Sequence, residues 1–241
     1  MKYKNLVVVG TSHIAEQSLQ EVEQAIEKEK PDIIAIELDR KRLYALTHKV
    51  KRKIGLSDIK RVGIKGFLFN VIGAFAERKL GKMVGVEPGS DMMRAIQLAK
   101  KNKIQLALID QDIEITLKKI SKSFGWREKI HLVVDLFKGV FFGKRELKRL
   151  GLTQLDLTKV PSKKLITTLI KEMKRRYPSL YKVLVEERNI FMAGMLKRII
   201  AEHPEKKIVA IIGAGHEDEI MEMVKGPEIT YSFAIRNVYK Q

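Results

Sequence analysis

Four short apolar runs constrain this chain more than any other feature: Leu6–Val9, Ile33–Leu38, Ile104–Ile109 and Ile208–Ile212. They are rich in Val and Ile and scarcely alternate with polar residues. A strand with one wet face alternates, whereas a strand covered on both faces does not. The runs therefore predict an α/β fold: a mostly parallel central sheet with flanking helices. A fifth run, "ITYSFAI" (Ile229–Ile235), alternates better and predicts an edge strand.

The connections agree with this reading. "AEQSLQEVEQAIEKEK" carries Leu19, Val22 and Ile26 at helical spacing and stops at Pro31. Strand, helix, strand makes a right-handed βαβ unit. Asp91–Lys101 is a second helix, with Ser90 as its expected cap. Residues from about 113 to 203 contain no strand-like run and read as helices over Ile113–Ser123, Trp126–Phe142, Ser162–Tyr177 and Ser179–His203. Gly66–Val84 reads as an apolar helix. The expectation is one α/β domain over 1–241, with a long helical insertion before the last histidine-bearing strand.

Composition narrows the chemistry. With 241 residues and no cysteine, the chain is large enough to bury roughly 70% of its unfolded surface without disulfides. Any metal must be held by His, Asp or Glu. The net charge is +18, concentrated in Arg40–Lys53 and Lys171–Arg176. The plain reading of such a charge is a solvated basic face, and an anionic membrane surface or an acidic substrate comes next. Nucleic acid is not expected, because only Tyr44 interleaves with the first basic run and no nucleic-acid motif is present. No leader is predicted, and no stretch reaches the roughly 20 apolar residues of a spanning helix. The expected location is cytoplasmic, or membrane-associated where a carboxy-terminal anchor lies beyond this chain.

The candidate site is read from the residues at the carboxyl end of each strand, where ligands sit in open parallel sheets. The first run ends in Gly10-Thr11-Ser12-His13, the second in Glu37-Leu38-Asp39-Arg40, the third in Asp110-Gln111-Asp112, and the fourth in Gly213-Ala214-Gly215-His216. Two imidazoles and a carboxylate form a ligand set for Zn²⁺, Mn²⁺ or Co²⁺ that leaves room for water. His13, Glu37 and His216 are the expected metal ligands, with Glu37 as third ligand or general base. Arg40 is the expected electrophilic or clamping group, Arg188 is counted with Glu37 and Arg40 among the expected catalytic residues, and Glu187 and Arg188 are the expected partners supporting the ligands. The glycines are read as giving sharp turns and room beside each His.

Blander readings compete. Glu37 in an apolar strand is costly unless paired, and Arg40 and Arg188 are both candidate salt-bridge partners. Asp110 and Asp112 can supply a turn and a helix N-cap. His48, His131 and His203 read as surface residues. A dinucleotide site is not supported: "GTSHIA" lacks the second and third glycines, and "GAGHED" lacks the third.

The stretches "VVGTSHIAEQS", "DIIAIELDRKRL", "GVEPGSDMMRAIQLAKKNKIQLALIDQDIEITLKK", "LVEERNIFMAGML" and "VAIIGAGHEDEI" resemble the TraB/PrgY/GumN/Tiki family, within it the archaeal TraB-like branch. The resemblance covers residues 5 to about 225. It implies a fold like that of the erythromycin-esterase/ChaN superfamily and a hallmark pair of Gly-x-x-His motifs, matched by Gly10–His13 and Gly213–His216. It also implies a metal-dependent peptidase, because Tiki proteins are metal-dependent proteases of Wnt amino termini and TraB/PrgY proteins shut down peptide pheromone signalling. At Asp91 and Asn189 this chain departs from the Glu and Asp expected of relatives.

The expected function is thus a metal-dependent hydrolase, most simply a peptidase, acting on a peptide or protein. The alternative is a non-catalytic regulatory protein that binds a peptide or haem in the same cleft. A homo-oligomer is a further expectation.

Overall fold

In a computed structural model, residues 1–11, 16–48, 59–60, 62–63, 67, 89–132, 134–135 and 163–227 are described. The expected strand Ile229–Ile235, the expected helix Gly66–Val84 apart from Phe67, and His13 lie outside these residues.

The described elements are β1 (Lys2–Tyr3), β2 (Leu6–Thr11), α1 (Glu16–Glu29), β3 (Ile33–Ile36), α2 (Arg40–Thr47), α3 (Ser90–Lys101), β4 (Gln105–Leu108), α4 (Ile113–Ser123), α5 (Lys163–Arg176), α6 (Pro178–Tyr181), α7 (Glu187–Glu202), β5 (Ile208–Gly213) and α8 (Glu217–Lys225). The sheet order is β1-β2-β5-β3-β4. The β2–β5, β5–β3 and β3–β4 pairs are parallel, and β1 adds antiparallel to β2. The fold is thus α/β with a mostly parallel sheet. The four apolar runs all become strands, each within two residues of its expected ends. The two-residue strand β1 was not anticipated, because a stretch that short carries no periodicity.

The lack of alternation has its expected cause. On one face, Leu6, Val8, Ile33, Ala35, Ile208, Ala210 and Ile212 pack against Met192, Leu196 and Ile199 of α7 and Ile220, Met221 and Val224 of α8. On the other, Ile34, Ile36, Val209 and Ile211 pack against Val22 and Ile26 of α1 and Met92, Ala95 and Leu98 of α3. All six residues of β5 are buried, as the centre of a three-layer sandwich requires. Truncating one of its isoleucines to alanine costs about 2–5 kcal/mol in such a setting.

Several local features differ from expectation. The N-cap of α3 is Gly89, at φ +81°, and Ser90 is the first helical residue. A positive φ is cheap only without a Cβ, so glycine takes the cap that serine was expected to fill. Gly10 lies inside β2, opposite Ile212, and the strand runs on to Thr11. A Cβ on Gly10 would stand 3.3 Å from Ala214 Cα and 2.5 Å from Glu217 Oε2. Gly10 therefore lets the segment after β5 approach β2, rather than making a turn.

The expected helix Ser179–His203 is interrupted by a π-helical turn at Lys182–Glu186, where Glu187 N–H reaches back five residues to Lys182 O. Residues 126–132 are helical, as expected. Buried Glu128 anchors them, accepting from Gly125 N at 3.1 Å and Ser179 N at 2.7 Å.

Candidate functional site

The parallel register brings the strand ends to one edge. Thr11 of β2 lies opposite Gly213 of β5, and Ile36 of β3 lies opposite Ile211 of β5 and Leu108 of β4. The residues just beyond these positions therefore meet. Because β5 inserts between β2 and β3, the turn carrying His216 is flanked by the ends of both.

Glu37 follows β3 and is 4% exposed. Its Oε2 accepts from Gly213 N at 2.6 Å, and its Oε1 is bonded to Arg188 Nη2. Arg188, two residues into α7, also grips Asp110: Nε donates to Oδ1 at 3.1 Å and Nη2 to Oδ2 at 2.6 Å. Its Nη1 donates to Leu184 O at 3.2 Å, inside the π-helical turn. One guanidinium thus ties the ends of β3 and β4 to the long helix. Burial acts to lower the Arg188 pKa. The carboxylates of Glu37 and Asp110 more than reverse this, so the net shift is upward and the cation is held charged.

A second arginine completes the cluster. Arg42 bonds Asp110 through Nη2 and donates from Nε to Asp39 Oδ2 at 2.8 Å. Asp39 in turn caps α2, its Oδ1 accepting from Lys41 N at 2.7 Å and Arg42 N at 3.0 Å. Three carboxylates and two guanidiniums, all at the strand carboxyl ends, nearly balance their charges, which is what permits their burial.

His216 sits at the N-cap of α8. Its Nε2 lies 3.7 Å from Glu37 Oε1 and 3.4 Å from Arg188 Nη1. Its Nδ1 lies 2.5 Å from Asn189 Oδ1. Asn189 Nδ2 donates to Glu219 Oε2 at 2.6 Å, and Tyr181 OH to Glu219 Oε1 at 3.1 Å. At the end of β2, the Thr11 hydroxyl donates to Asp91 Oδ2 at 2.6 Å, so buried Asp91 brings the start of α3 to the same edge.

The expected site residues separate as follows. Glu37, Arg188 and His216 converge. His13 lies outside the described residues, although β2, which leads to it, is the hydrogen-bonded neighbour of β5, which leads to His216. Arg40 is exposed in the first turn of α2, and Arg42, further round the same turn, is the residue that reaches inward. Glu187 turns away to Lys119 of α4, at 2.5 Å. Of the two candidate partners for Glu37, Arg188 is the one engaged. Asp110 and Asp112 divide their roles: Asp110 binds both arginines, while Asp112 caps α4 by accepting from Glu114 N at 2.8 Å. Asp112 also pairs with Lys41 at 2.7 Å.

His48 is exposed and stacks on Tyr44, and His203 ends α7. His131 is not a free surface residue. It is half-buried, with Nδ1 3.0 Å from Arg176 O and its ring edge-on to Tyr177.

Asn189, Glu219, Tyr181, Arg42 and Asp110 in its arginine-binding role were missed or underweighted. The sequence signals were that Asn189 stands where the resemblance leads one to expect Asp, and that it directly follows Arg188 inside an apolar helical pattern where a buried amide needs partners.

The fold and edge cluster define an α/β protein with a carboxylate–guanidinium–imidazole network, the candidate site, at the strand carboxyl ends. A family model described as the TraB/PrgY/gumN family matches residues 2–225, and the chain belongs to that family. It is 33% identical to an uncharacterized protein of Methanocaldococcus jannaschii, over 92% of this chain and 53% of that protein. It is 23% identical to the TraB domain-containing protein of Mus musculus, over 87% of this chain and 60% of the relative. The human TraB domain-containing protein is 22% identical, with the same two coverages. The chain thus spans between half and two thirds of the length of these relatives.

Proposed function

We propose that the protein is a metal-dependent hydrolase acting on a peptide or protein, with its centre at His216 and Glu37. The observation that carries this reading is the buried carboxylate of Glu37, 3.7 Å from His216 Nε2, with the Arg188 guanidinium beside both. The peptide as substrate class rests on the family resemblance.

The donor chemistry fits a metal. An imidazole nitrogen and a carboxylate oxygen at this spacing are ligands that a first-row dication takes at about 2.0–2.2 Å. His216 and Glu37 would hold it, with His13 as the third ligand. Among the described residues no group of three His, Asp or Glu forms a ready metal cage, so the reading requires His13. Bound Zn²⁺, Mn²⁺ or Co²⁺ would supply a water molecule acidified to near neutrality.

The chain's own residues supply the rest. Glu37 is placed to ligate or to accept a proton. Arg188 is placed to balance negative charge developing beside His216, and Asp110 and Arg42 hold it there. Arg40, exposed, is not placed to share that role.

The test uses the whole chain. Metal-depleted protein is challenged with a broad peptide library, then again after addition of Mn²⁺, Co²⁺ or Zn²⁺. Cleavage that returns with metal and disappears in Glu37→Gln supports the proposal. A protein that takes up no metal and cleaves nothing, yet binds peptide or haem, points to the regulatory alternative.

A membrane surface is the partner that exposure and charge favour. Trp126, Ile130 and Val134 share one helix face and are 77%, 60% and 39% exposed. Lys129 Nζ lies 3.9 Å from the Trp126 ring centroid. Apolar and aromatic groups beside lysine, on a chain of net charge +18, suit the interface of an anionic bilayer. Among the described residues no helix is long and apolar enough to cross a membrane.

A further inference from the structure

We infer that Asn189, oriented by Glu219 and Tyr181, is a positioning residue that locks neutral His216 in the Nδ1–H tautomer and leaves the Nε2 lone pair facing Glu37 and Arg188. The inference builds on the reading of His216 as the reactive imidazole, and the measurement that decides it, the tautomer, needs neither substrate nor metal.

The hydrogen-bond roles are fixed from the outside inward. An ionised carboxylate only accepts hydrogen bonds. Glu219 therefore receives the Tyr181 hydroxyl at Oε1 and must receive the amide NH₂ of Asn189 at Oε2. Burial, and then the Glu219 carboxylate, push the Tyr181 phenol up to about 12, so it remains a donor throughout the neutral range. With its NH₂ committed, Asn189 can turn only its carbonyl oxygen to His216. That oxygen is 2.5 Å from Nδ1, so Nδ1 must carry a proton. Asn189 is 0% exposed, so no water competes for the carbonyl from bulk solvent.

A competing arrangement exists. Glu37 Oε1 would attract a proton on Nε2, and neutral imidazole in water favours Nε2–H. The distances decide between them: 2.5 Å to Asn189 against 3.7 Å to Glu37. Arg188 Nη1, at 3.4 Å, is itself a donor and is better matched by an unprotonated nitrogen. Glu37 Oε1 is already served by Arg188 Nη2. Three helices thus orient one ring: α6 through Tyr181, α7 through Asn189 and α8 through Glu219. An Nε2 held unprotonated can bind a metal or accept a proton; one held protonated can do neither.

The experiment is a long-range ¹H–¹⁵N correlation on the metal-free, ¹⁵N-histidine-labelled whole chain at mildly alkaline pH. His216 is assigned by its loss in His216→Gln. Wild type is expected to show a pyrrole-like Nδ1 and a pyridine-like Nε2. Asn189→Ala is expected to move His216 to the Nε2–H pattern, and Glu219→Gln, whose amide oxygen can still accept from Asn189 Nδ2, to retain Nδ1–H. Mn²⁺ affinity is expected to fall about 10- to 100-fold in Asn189→Ala and to stay near wild type in Glu219→Gln. An Nε2–H pattern in wild type overturns the inference by itself, even if Asn189→Ala does not fold. So does an unchanged tautomer in folded Asn189→Ala. A tautomer that shifts as expected in a chain that hydrolyses nothing leaves the positioning role standing and removes only the hydrolase reading.

Discussion

Glu37 Oε1 and His216 Nε2 lie 3.7 Å apart, although one residue follows β3 and the other caps α8. The carboxylate is held from two sides, by the Gly213 amide and by Arg188. It is therefore fixed in orientation, as a ligand or base must be. In Glu37→Gln, one of these two donors faces an amide NH₂. The expected stability loss is about 1–3 kcal/mol, and the expected loss of hydrolytic rate is about 100-fold or more. Urea unfolding and initial rates on the same preparation separate the two effects. Full activity in the variant would remove Glu37 from the chemistry.

Arg188 is the cation on which the burial of Glu37 and Asp110 depends. Arg188→Met removes the cation that two buried carboxylates share; among the described residues Asp110 keeps Arg42 and the Gln111 amide, and Glu37 keeps the Gly213 amide. The expected cost is about 3–5 kcal/mol, as for other buried pairs that lose one member. Arg40→Met, at an exposed position, is expected to change stability by less than about 0.5 kcal/mol. Denaturant midpoints for the two variants check the contrast, and equal midpoints would contradict the assignment of Arg188 as the tie.

Two tyrosines set an alkaline limit. Burial, followed by Asp135 for Tyr177 and Glu219 for Tyr181, raises both phenols from 10.0 to about 12. The folded state holds their protons more tightly than the unfolded state. Their contribution is therefore complete below about pH 10 and is lost as pH rises toward 12. Phenolate absorbance should show two tyrosines ionising late in the native protein, and Tyr181→Phe should remove one of them. Thermal midpoints should fall across the same interval.

Binding to vesicles containing anionic lipid is expected, and it should weaken steeply between low and physiological salt. Trp126→Ser and Ile130→Ser should weaken it without altering the fold, because both side chains are mostly exposed. Co-sedimentation and the Trp126 emission shift, from the chain's single tryptophan, provide the readout. Equal binding to neutral vesicles, or none to anionic ones, would remove the membrane partner.

The strands and the nature of their ends were legible in the sequence because both are local. A run such as Ile208–Ile212 has no polar face, so it must lie between two layers, and a parallel sheet then carries the residues after each strand to a common edge. Glu37, Asp110 and His216 were accessible on that basis alone. Helix ends were legible where a side chain makes the cap, as at Asp112, and not where backbone conformation makes it, as at Gly89.

The tertiary structure alone decided which of these residues touch. β5 enters between β2 and β3, so His216 reaches Glu37; no local pattern encodes strand order, because every apolar strand suits every position in a buried sheet. The choice of Arg188 and Arg42 over Arg40 depends on helix rotation, about 100° per residue. At Arg188 that rotation is adjusted by the π-helical turn just before it, which leaves no signature in residue type. Arg188 and Asn189 are adjacent in sequence, yet one closes the carboxylate pair and the other orients the imidazole. That division exists only because β3, β4 and α8 present their partners from different sides of α7, and burial then makes each partner obligatory.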